Sequence, residues 1–149
     1  MGYSMKITII NGPNLNLLGI REKEIYGEKD YDYLISLIEK EAEELKIDVT
    51  VRQSNHEGEI IDWIQATKQD NTDGLIINPG AYTHYSYAIR DALASISIPK
   101  IEVHISNIHK REAFRQECVT TSECDGQFVG LGLEGYLYAL RFLGVTESA

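Results

Sequence analysis

Short apolar runs rich in β-branched residues alternate with longer segments along the chain, and this alternation limits the fold more than any other feature. Five such runs occur, at residues 7–10, 49–51, 75–77, 101–105 and 128–129. Runs of this length and composition are typical of buried strands. Because strands that alternate with helices form βαβ units, the sequence predicts a parallel sheet covered by helices.

The segments between the runs carry apolar residues at the spacing of an amphipathic helix. The two clearest stripes are Leu34, Leu37, Ile38, Ala42 and Leu45, and Tyr85, Ala88, Ile89, Ala92, Leu93 and Ile96. Weaker helical patterns surround residues 60–64 and 136–143. Together these elements predict an α/β fold, a flavodoxin-like doubly wound five-stranded parallel sheet with helices on both faces.

The length and charge of the chain limit its organisation and partners. With 149 residues, we expect one catalytic domain over residues 1–149, in which residues 1–4 are an extension before the first strand. The net charge of −9 argues against nucleic acid or an anionic membrane as a partner, because each requires a basic face. Two cysteines, Cys118 and Cys124, suit neither a disulfide framework nor a structural zinc site. With no signal-peptide pattern and no membrane-length apolar run, we therefore expect a cytoplasmic protein without a metal.

The residues that follow the predicted strands are unusually polar, and ligands of doubly wound sheets bind at this edge. After the first run, residues 11–19 combine asparagines with the Gly and Pro of a tight turn, which local turn chemistry alone also explains. After the third run, residues 78–84 enter the helix that carries Asp91. The amides of a helix start favour a carboxylate, although Thr83 or Asn78 serving only as a cap would explain the same pattern.

The fourth run has the most specific pattern, because polar side chains are rare in a strand that is covered on both faces. Glu102 and His104 are two residues apart and therefore project to the same side. A carboxylate in that place can orient an imidazole and stabilise its charged form as a general acid. The alternative is a structural histidine whose hydrogen bonds are satisfied.

A polar segment bounded by glycines, residues 19–27, lies between the first strand and the first long helix, and we interpret it as a hinged lid. It carries Arg21 and Tyr26. An arginine near a phenol favours the phenolate, which is a general base. Taken alone, both residues are also ordinary for a surface loop.

Two further patterns are less specific. Arg111 and Arg115 are four apart and share a face if that segment is helical, but a solvated charge run is the usual explanation for such a pattern. Residues 130–135 have the glycine spacing of a dinucleotide loop at the wrong end of the chain, so we attribute these glycines to close packing of the last helix.

Taken together, residues 11–19, 21–27, 78–84, 101–107 and 130–136 resemble, in family order, the type II 3-dehydroquinate dehydratases. The resemblance extends from Met5 to Leu143. It implies an enzyme without a cofactor that eliminates water from 3-dehydroquinate to give 3-dehydroshikimate. The clearest departure is Lys23, where relatives often have proline, and it leaves the ordering of the lid open.

The resemblance also implies a role for each site residue. Tyr26, as tyrosinate supported by Arg21, removes the proton next to the ketone, and Asn14 holds the water that stabilises the enolate oxygen. His104, with Glu102 beside it, protonates the departing hydroxyl. The substrate carboxylate is assigned to Asn78, Ile105 and Ser106, and its hydroxyls to His84 and Arg115. Arg111 is a second candidate for tuning Tyr26, and Asp91 reaches a neighbouring subunit in a homododecamer built from trimers.

Three alternatives stay open from the sequence. One is a non-catalytic flavodoxin-like ligand-binding module, because fold alone does not determine function. Such a module would not require Tyr26, Arg21 and His104 to occur together. A nucleotide-dependent oxidoreductase depends on the glycine run discounted above. Within the dehydratase interpretation, the shikimate pathway of aromatic amino acid biosynthesis and the breakdown of quinate use the same chemistry.

Overall fold

Five parallel strands form one sheet in the computed structural model, which describes residues 5–20 and 29–148. The strands are β1 (Met5–Asn11), β2 (Ile47–Gln53), β3 (Gly74–Asn78), β4 (Lys100–His104) and β5 (Gly126–Val129). Their order across the sheet is β2-β1-β3-β4-β5, and every pair is parallel. This order is that of the flavodoxin-like doubly wound sheet, so the predicted fold is confirmed.

Within the described residues, four α-helices cover the sheet, two on each face. They are α1 (Tyr31–Leu45), α2 (Glu57–Ala66), α3 (Tyr87–Ala94) and α4 (Glu134–Ser148). Helices α1 and α4 pack over one apolar core, whereas α2 and α3 pack over the other. None of the helices in the described ranges is long and apolar enough to cross a membrane.

Helix α1 shows how closely a strong apolar pattern predicts a helix. Leu34, Ile38 and Ala42 of the predicted stripe are buried against the sheet. The side chain of Asp30 caps the first turn by accepting a hydrogen bond from the backbone N–H of Tyr33. Lys46, in the left-handed conformation at φ 59°, ends the helix and turns the chain into β2.

The second stripe is partly wrong at its beginning. A 3-10 segment, Gly80–His84, precedes α3, and Ser86 caps that helix by accepting a hydrogen bond from the N–H of Ile89. Tyr85 lies before this helix and is exposed, and Ala88 in its first turn is exposed as well, while Ile89, Ala92 and Leu93 face the core. The 3-10 turn changes the rotation per residue, so the helical spacing does not extend back to Tyr85.

The chain after β4 also differs from the prediction. Arg111 and Arg115 do not share one helix, because the 3-10 turns Ile108–Lys110 and Ala113–Gln116 break between them. The chain between the turn Ala113–Gln116 and β5 contains a further short 3-10 turn, Thr121–Glu123. This long connection folds back over the end of β4, which places its polar residues beside the sheet.

Of the glycines after β5, Gly135 packs closely against the sheet as expected. A Cβ on Gly135 would lie 3.3 Å from Cγ1 of Val103, a tight contact that glycine avoids where α4 approaches the sheet. Gly130 and Gly132 have positive φ, and their N–H groups donate to the carbonyls of His104 and Ile105. This turn therefore holds the end of β4 in place.

Candidate active site

A cavity of about 240 Å³ lies at the carboxyl ends of the strands, the edge that the sequence predicted. Most of the predicted site residues line it: Asn14, Asn78, His84, His104, Ile105, Ser106, Arg111 and Arg115. They come from the ends of β3 and β4 and from the connections after β1, β3 and β4, so parallel pairing brings together residues that are far apart in the sequence. 

The remaining predicted residues do not line this cavity or cannot be placed. Glu102 lies one pleat behind His104 and is completely buried. Asp91 is exposed on α3 and is not part of the cavity lining. Arg21, Lys23 and Tyr26 lie outside the described residues.

The residues on either side of 21–28 belong to the described ranges and lie near the cavity. Gly19 lines the cavity, and a Cβ on Gly19 would lie 2.9 Å from Cα of Asp30. Gly19 has a φ of +80°, a conformation that glycine adopts without strain. Gly19 and Asp30, which lie on either side of residues 20–29 in the connection between β1 and α1, are therefore next to each other beside the cavity.

Glu102 and His104 form the central polar pair. Nε2 of His104 lies 2.9 Å from Oε2 of Glu102, and 5% of His104 is exposed, as expected for a side chain at the cavity wall. Because an ionised carboxylate only accepts hydrogen bonds, Nε2 is the donor. The other ring nitrogen, Nδ1, is left to exchange a proton with a ligand. 

Hydrogen bonds stabilise the ionised form of Glu102 and offset the effect of its burial. Burial alone would raise the pKa of this carboxyl, but the hydrogen bond and charge of His104, and the hydroxyls of Thr120 and Thr121, lower the pKa below its ordinary value. Gln127 also donates to the carboxylate, at 2.9 Å. Sequence reasoning missed these three residues, because no periodicity relates residues 120–127 to Glu102.

His84 has a different partner, the backbone carbonyl of Glu117, 2.7 Å from Nδ1. A carbonyl oxygen only accepts, so Nδ1 carries the proton. Burial lowers the pKa of His84, more than the hydrogen bond to Glu117 raises it, and this favours the neutral ring. Neutral His84 then has an acceptor at Nε2, which suits a ligand hydroxyl.

A buried chain of hydrogen bonds orients Asn78. The hydroxyl of Tyr136 donates its only proton to Oδ1 of Asn11, so it accepts from Nδ2 of Asn78 at 2.8 Å. Oδ1 of Asn78 accepts from the N–H of Gly80. The amide of Asn78 is thereby held in one of its two orientations, with its second N–H hydrogen left for a ligand. 

The loop after β1 is held by residues that the sequence analysis did not select. Asn14 adopts a left-handed conformation at φ 70°, one that asparagine tolerates better than most residues. Its backbone N–H donates to Oδ1 of Asn55, and Gln53 donates to the carbonyl of Gly12. Both anchors lie at or just after the end of β2.

Two arginines line the cavity of this acidic protein. Nη1 of Arg111 lies 3.4 Å from Oγ of Ser106, and Nε of Arg115 lies 3.2 Å from both carboxylate oxygens of Glu112. The guanidinium of Arg115 also stacks 4.8 Å from the ring centre of Phe114. Guanidinium groups at this edge suit an anionic, hydroxylated ligand.

Among residues 5–20 and 29–148, one buried group offers the mixed ligand atoms of a metal site. Atoms of Glu102, His104 and Cys118 lie within 4.8 Å of one another. However, the oxygens of Glu102 already accept several hydrogen bonds, and burial raises the pKa of the Cys118 thiol, which disfavours the thiolate ligand. The group therefore fits a hydrogen-bond network better than a metal centre.

Comparisons with known proteins agree with this geometry. The family model of class II dehydroquinases matches residues 5–144. The 3-dehydroquinate dehydratases of Lachnoclostridium phytofermentans and Lachnospira eligens are 68% and 66% identical to this chain; the alignments cover 91% and 92% of this chain, and 94% of each relative. The crystal structure of the type II dehydroquinase from Butyrivibrio crossotus has a TM-score of 0.91 at 61% identity, covering 93% of this chain and 97% of that one. The fold, the residues around the cavity and these matches lead to one conclusion: the chain belongs to the class II dehydroquinase family.

Proposed function

We propose that this protein is a type II 3-dehydroquinate dehydratase, a hydro-lyase that converts 3-dehydroquinate to 3-dehydroshikimate and water. Family membership supports the reaction. The observation that carries the mechanism is the Glu102–His104 pair at the wall of the cavity, because a buried carboxylate that accepts from Nε2 fixes the orientation of the ring and leaves Nδ1 for the substrate. A non-catalytic binding module has no need for such a pair.

The base in this mechanism is Tyr26. As tyrosinate, it removes the proton on the carbon next to the ketone, and the electron pair of that C–H bond forms an enolate. Arg21 stabilises the tyrosinate, and Arg111, which lines the cavity, is a second cation for the same purpose. The position of Gly19 and Asp30 supports this assignment. These two residues lie on either side of the segment that carries Tyr26, and they are next to each other beside the cavity.

The acid is His104. When the enolate collapses, the bond from the β-carbon to its hydroxyl breaks, and the proton from Nδ1 of His104 leaves with that hydroxyl as water. Glu102 holds the ring through Nε2 and stabilises its positive charge before transfer. Asn14 holds the water that stabilises the enolate oxygen, in line with its place in the cavity lining. 

The substrate is held by groups that match its charge and hydroxyls. We assign its carboxylate to Asn78, Ser106 and the backbone of Ile105, and its ring hydroxyls to His84 and Arg115. The acceptor nitrogen of neutral His84 suits a hydroxyl donor. No step requires a cofactor or metal, since both proton carriers are side chains.

Assembly and cellular role complete the proposal. Asp91 is exposed on α3, as required of a residue that completes the site of a neighbouring subunit, and we propose a homododecamer of four trimers. The free thiols of Cys118 and Cys124 suit a reducing cytoplasm. We assign the enzyme to the shikimate pathway rather than to quinate breakdown, and loss of the gene should then cause a requirement for aromatic amino acids.

The test is to add 3-dehydroquinate to chelator-treated protein and follow the ultraviolet absorbance of the conjugated enone product. Steady turnover is expected, and it should persist with borohydride because no imine forms. The Tyr26→Phe variant removes only the phenol oxygen and should lose ~10²- to 10⁴-fold in kcat. Absence of product with folded wild-type protein would contradict the proposed function, whereas full activity of Tyr26→Phe would contradict only the assigned base.

A further inference from the structure

We propose that Thr120, Thr121 and Gln127 are positioning residues that hold Glu102 as an anion directed at His104. None of the three lines the cavity. Thr120 and Thr121 begin a 3-10 turn within the long connection that follows β4, and Gln127 pairs with Glu102 across strands β4 and β5. The proposal rests on the proposed function, since it concerns the proton that His104 delivers.

The first argument is the number of donors around Glu102. Its Oε1 accepts from Thr120 at 2.5 Å. Its Oε2 accepts from Thr121 at 2.5 Å, and from Gln127 and His104 at 2.9 Å each. An ionised carboxylate only accepts hydrogen bonds and offers about four acceptor positions, which suits a site with four donors. A proton on Oε2 would point at one of the three donors there, and the arrangement therefore favours the anion.

The second argument is the direction of the hydrogen bonds. Thr120 gives its single proton to Glu102, so Thr83, 2.6 Å away, must be the donor in the bond between the two hydroxyls. Thr121 likewise donates to Glu102 and accepts from Gln127 at 3.1 Å. Every proton in the network therefore points towards the carboxylate.

The third argument is burial. Thr83, Thr120 and Glu102 are each 0% exposed, so water cannot replace a donor that is lost there. A buried acceptor without its partner costs more free energy than an exposed one, and the cost is larger for a charged group. The carboxylate would respond by taking up the proton of His104 or by turning away from the ring. Either change removes the acid from the reaction.

A purely structural role for the threonines predicts the opposite order of variants. Thr→Val keeps the size and branching of the side chain but removes the hydroxyl, whereas Thr→Ser keeps the hydroxyl and removes a methyl group. If packing is what matters, the serine variants should be worse. If donation to Glu102 is what matters, the valine variants should be worse.

The experiment measures kcat, KM and solvent deuterium exchange next to the ketone for Thr120→Val, Thr120→Ser, Thr121→Val and Thr121→Ser. We expect the valine variants to lose about 10- to 100-fold in kcat, the value of a hydrogen bond to a charged group, with little change in KM. Exchange should persist, because Tyr26 still forms the enolate. The serine variants should restore most of kcat. Thr67→Val, a buried hydroxyl that donates to the carbonyl of Ile64 in α2, is the matched control and should keep wild-type kcat.

Two results would overturn the proposal: valine variants with wild-type kcat, or serine variants impaired as severely as their valine counterparts. If the valine variants do not fold, Gln127→Leu provides the test, because Gln127 is only partly buried. This variant should lower kcat and leave KM and deuterium exchange unchanged. An unchanged kcat would overturn the proposal. Failure of the wild-type enzyme to dehydrate 3-dehydroquinate would instead overturn the proposed function itself.

Discussion

Two histidines line the same cavity, yet their surroundings prepare them for different tasks. His104 is at the end of a central strand, and its Nε2 donates to a buried carboxylate. His84 is on a 3-10 turn, and its Nδ1 donates to a backbone carbonyl. The partner of His104 is a carboxylate, whereas burial lowers the pKa of His84 more than the hydrogen bond to Glu117 raises it, and this favours a neutral His84 ring. 

For these two histidines, burial and the partner of the far nitrogen together decide the chemistry of the near one. In our proposal His104 donates a proton to the leaving group, and His84 accepts a hydrogen bond from a hydroxyl. Residue type and cavity are the same for both. Sites that use two titratable groups for different roles commonly separate them in this way.

The largest effect is expected from removing the acid. His104→Ala should lower kcat by ~10²- to 10⁴-fold, because the hydroxyl must leave without protonation. KM should change little, and proton exchange next to the ketone should continue because the base is intact. Steady-state kinetics together with mass spectrometry in deuterated water measure both. A variant that loses exchange as completely as turnover would show that His104 is not confined to the second step.

A smaller effect is expected from removing the negative charge beside the acid. Glu102→Gln keeps the size of the side chain but adds two N–H hydrogens to a place where four donors already converge. We expect kcat to fall about 10- to 100-fold, as for loss of hydrogen bonds to a charged group. Kinetics at one pH suffice, with Thr67→Val as a control for disturbance of a buried residue. Wild-type kcat in Glu102→Gln would break the distinction between the two histidines.

Changes at His84 should appear in substrate affinity. His84→Asn retains a donor near the position of Nδ1 but lacks an acceptor at the position of Nε2, so KM should rise about threefold to tenfold, the value of one neutral hydrogen bond. His84→Gln retains an acceptor near Nε2 and should be closer to wild type. Both should keep kcat within a small factor. A large loss of kcat with unchanged KM would assign His84 to proton transfer instead.

The smallest effect concerns stability at mildly acidic pH. The pKa of His84 is lowered in the folded protein. As the pH falls through about 6.5, the unfolded chain therefore takes up a proton at His84 that the folded protein does not. The free energy of unfolding decreases as the pH falls further, until the folded-state pKa is reached. Above about pH 6.5 the residue contributes no pH dependence. His84→Gln should therefore lose less Tm than wild type between pH 7.5 and 5.5, as measured by thermal unfolding. An equal loss in both proteins would indicate that other groups dominate.

Much of the fold follows from short-range pattern. The β-branched runs locate all five strands, and the stripe of Leu34, Ile38 and Ala42 locates α1, because burial on one face imposes a period on the sequence. The pattern fails at Tyr85, where a 3-10 turn alters the helical register, and at Arg111 and Arg115, which separate turns hold. Local irregularities of this kind depend on the neighbouring elements. 

The sequence by itself determined the fold class, the edge of the sheet that carries the site, and the pairing of Glu102 with His104, since two residues of one strand two apart must share a face. The tertiary structure alone decided what surrounds that pair. Thr120, Thr121 and Gln127 reach Glu102 because β5 pairs with β4 and the long connection folds over the end of the strand. Likewise, Tyr136 reaches Asn78 only when α4 packs on the sheet. Contacts between residues distant along the chain produce no periodic pattern in the sequence. The groups that stabilise the buried Glu102 carboxylate are therefore identified only in the folded protein.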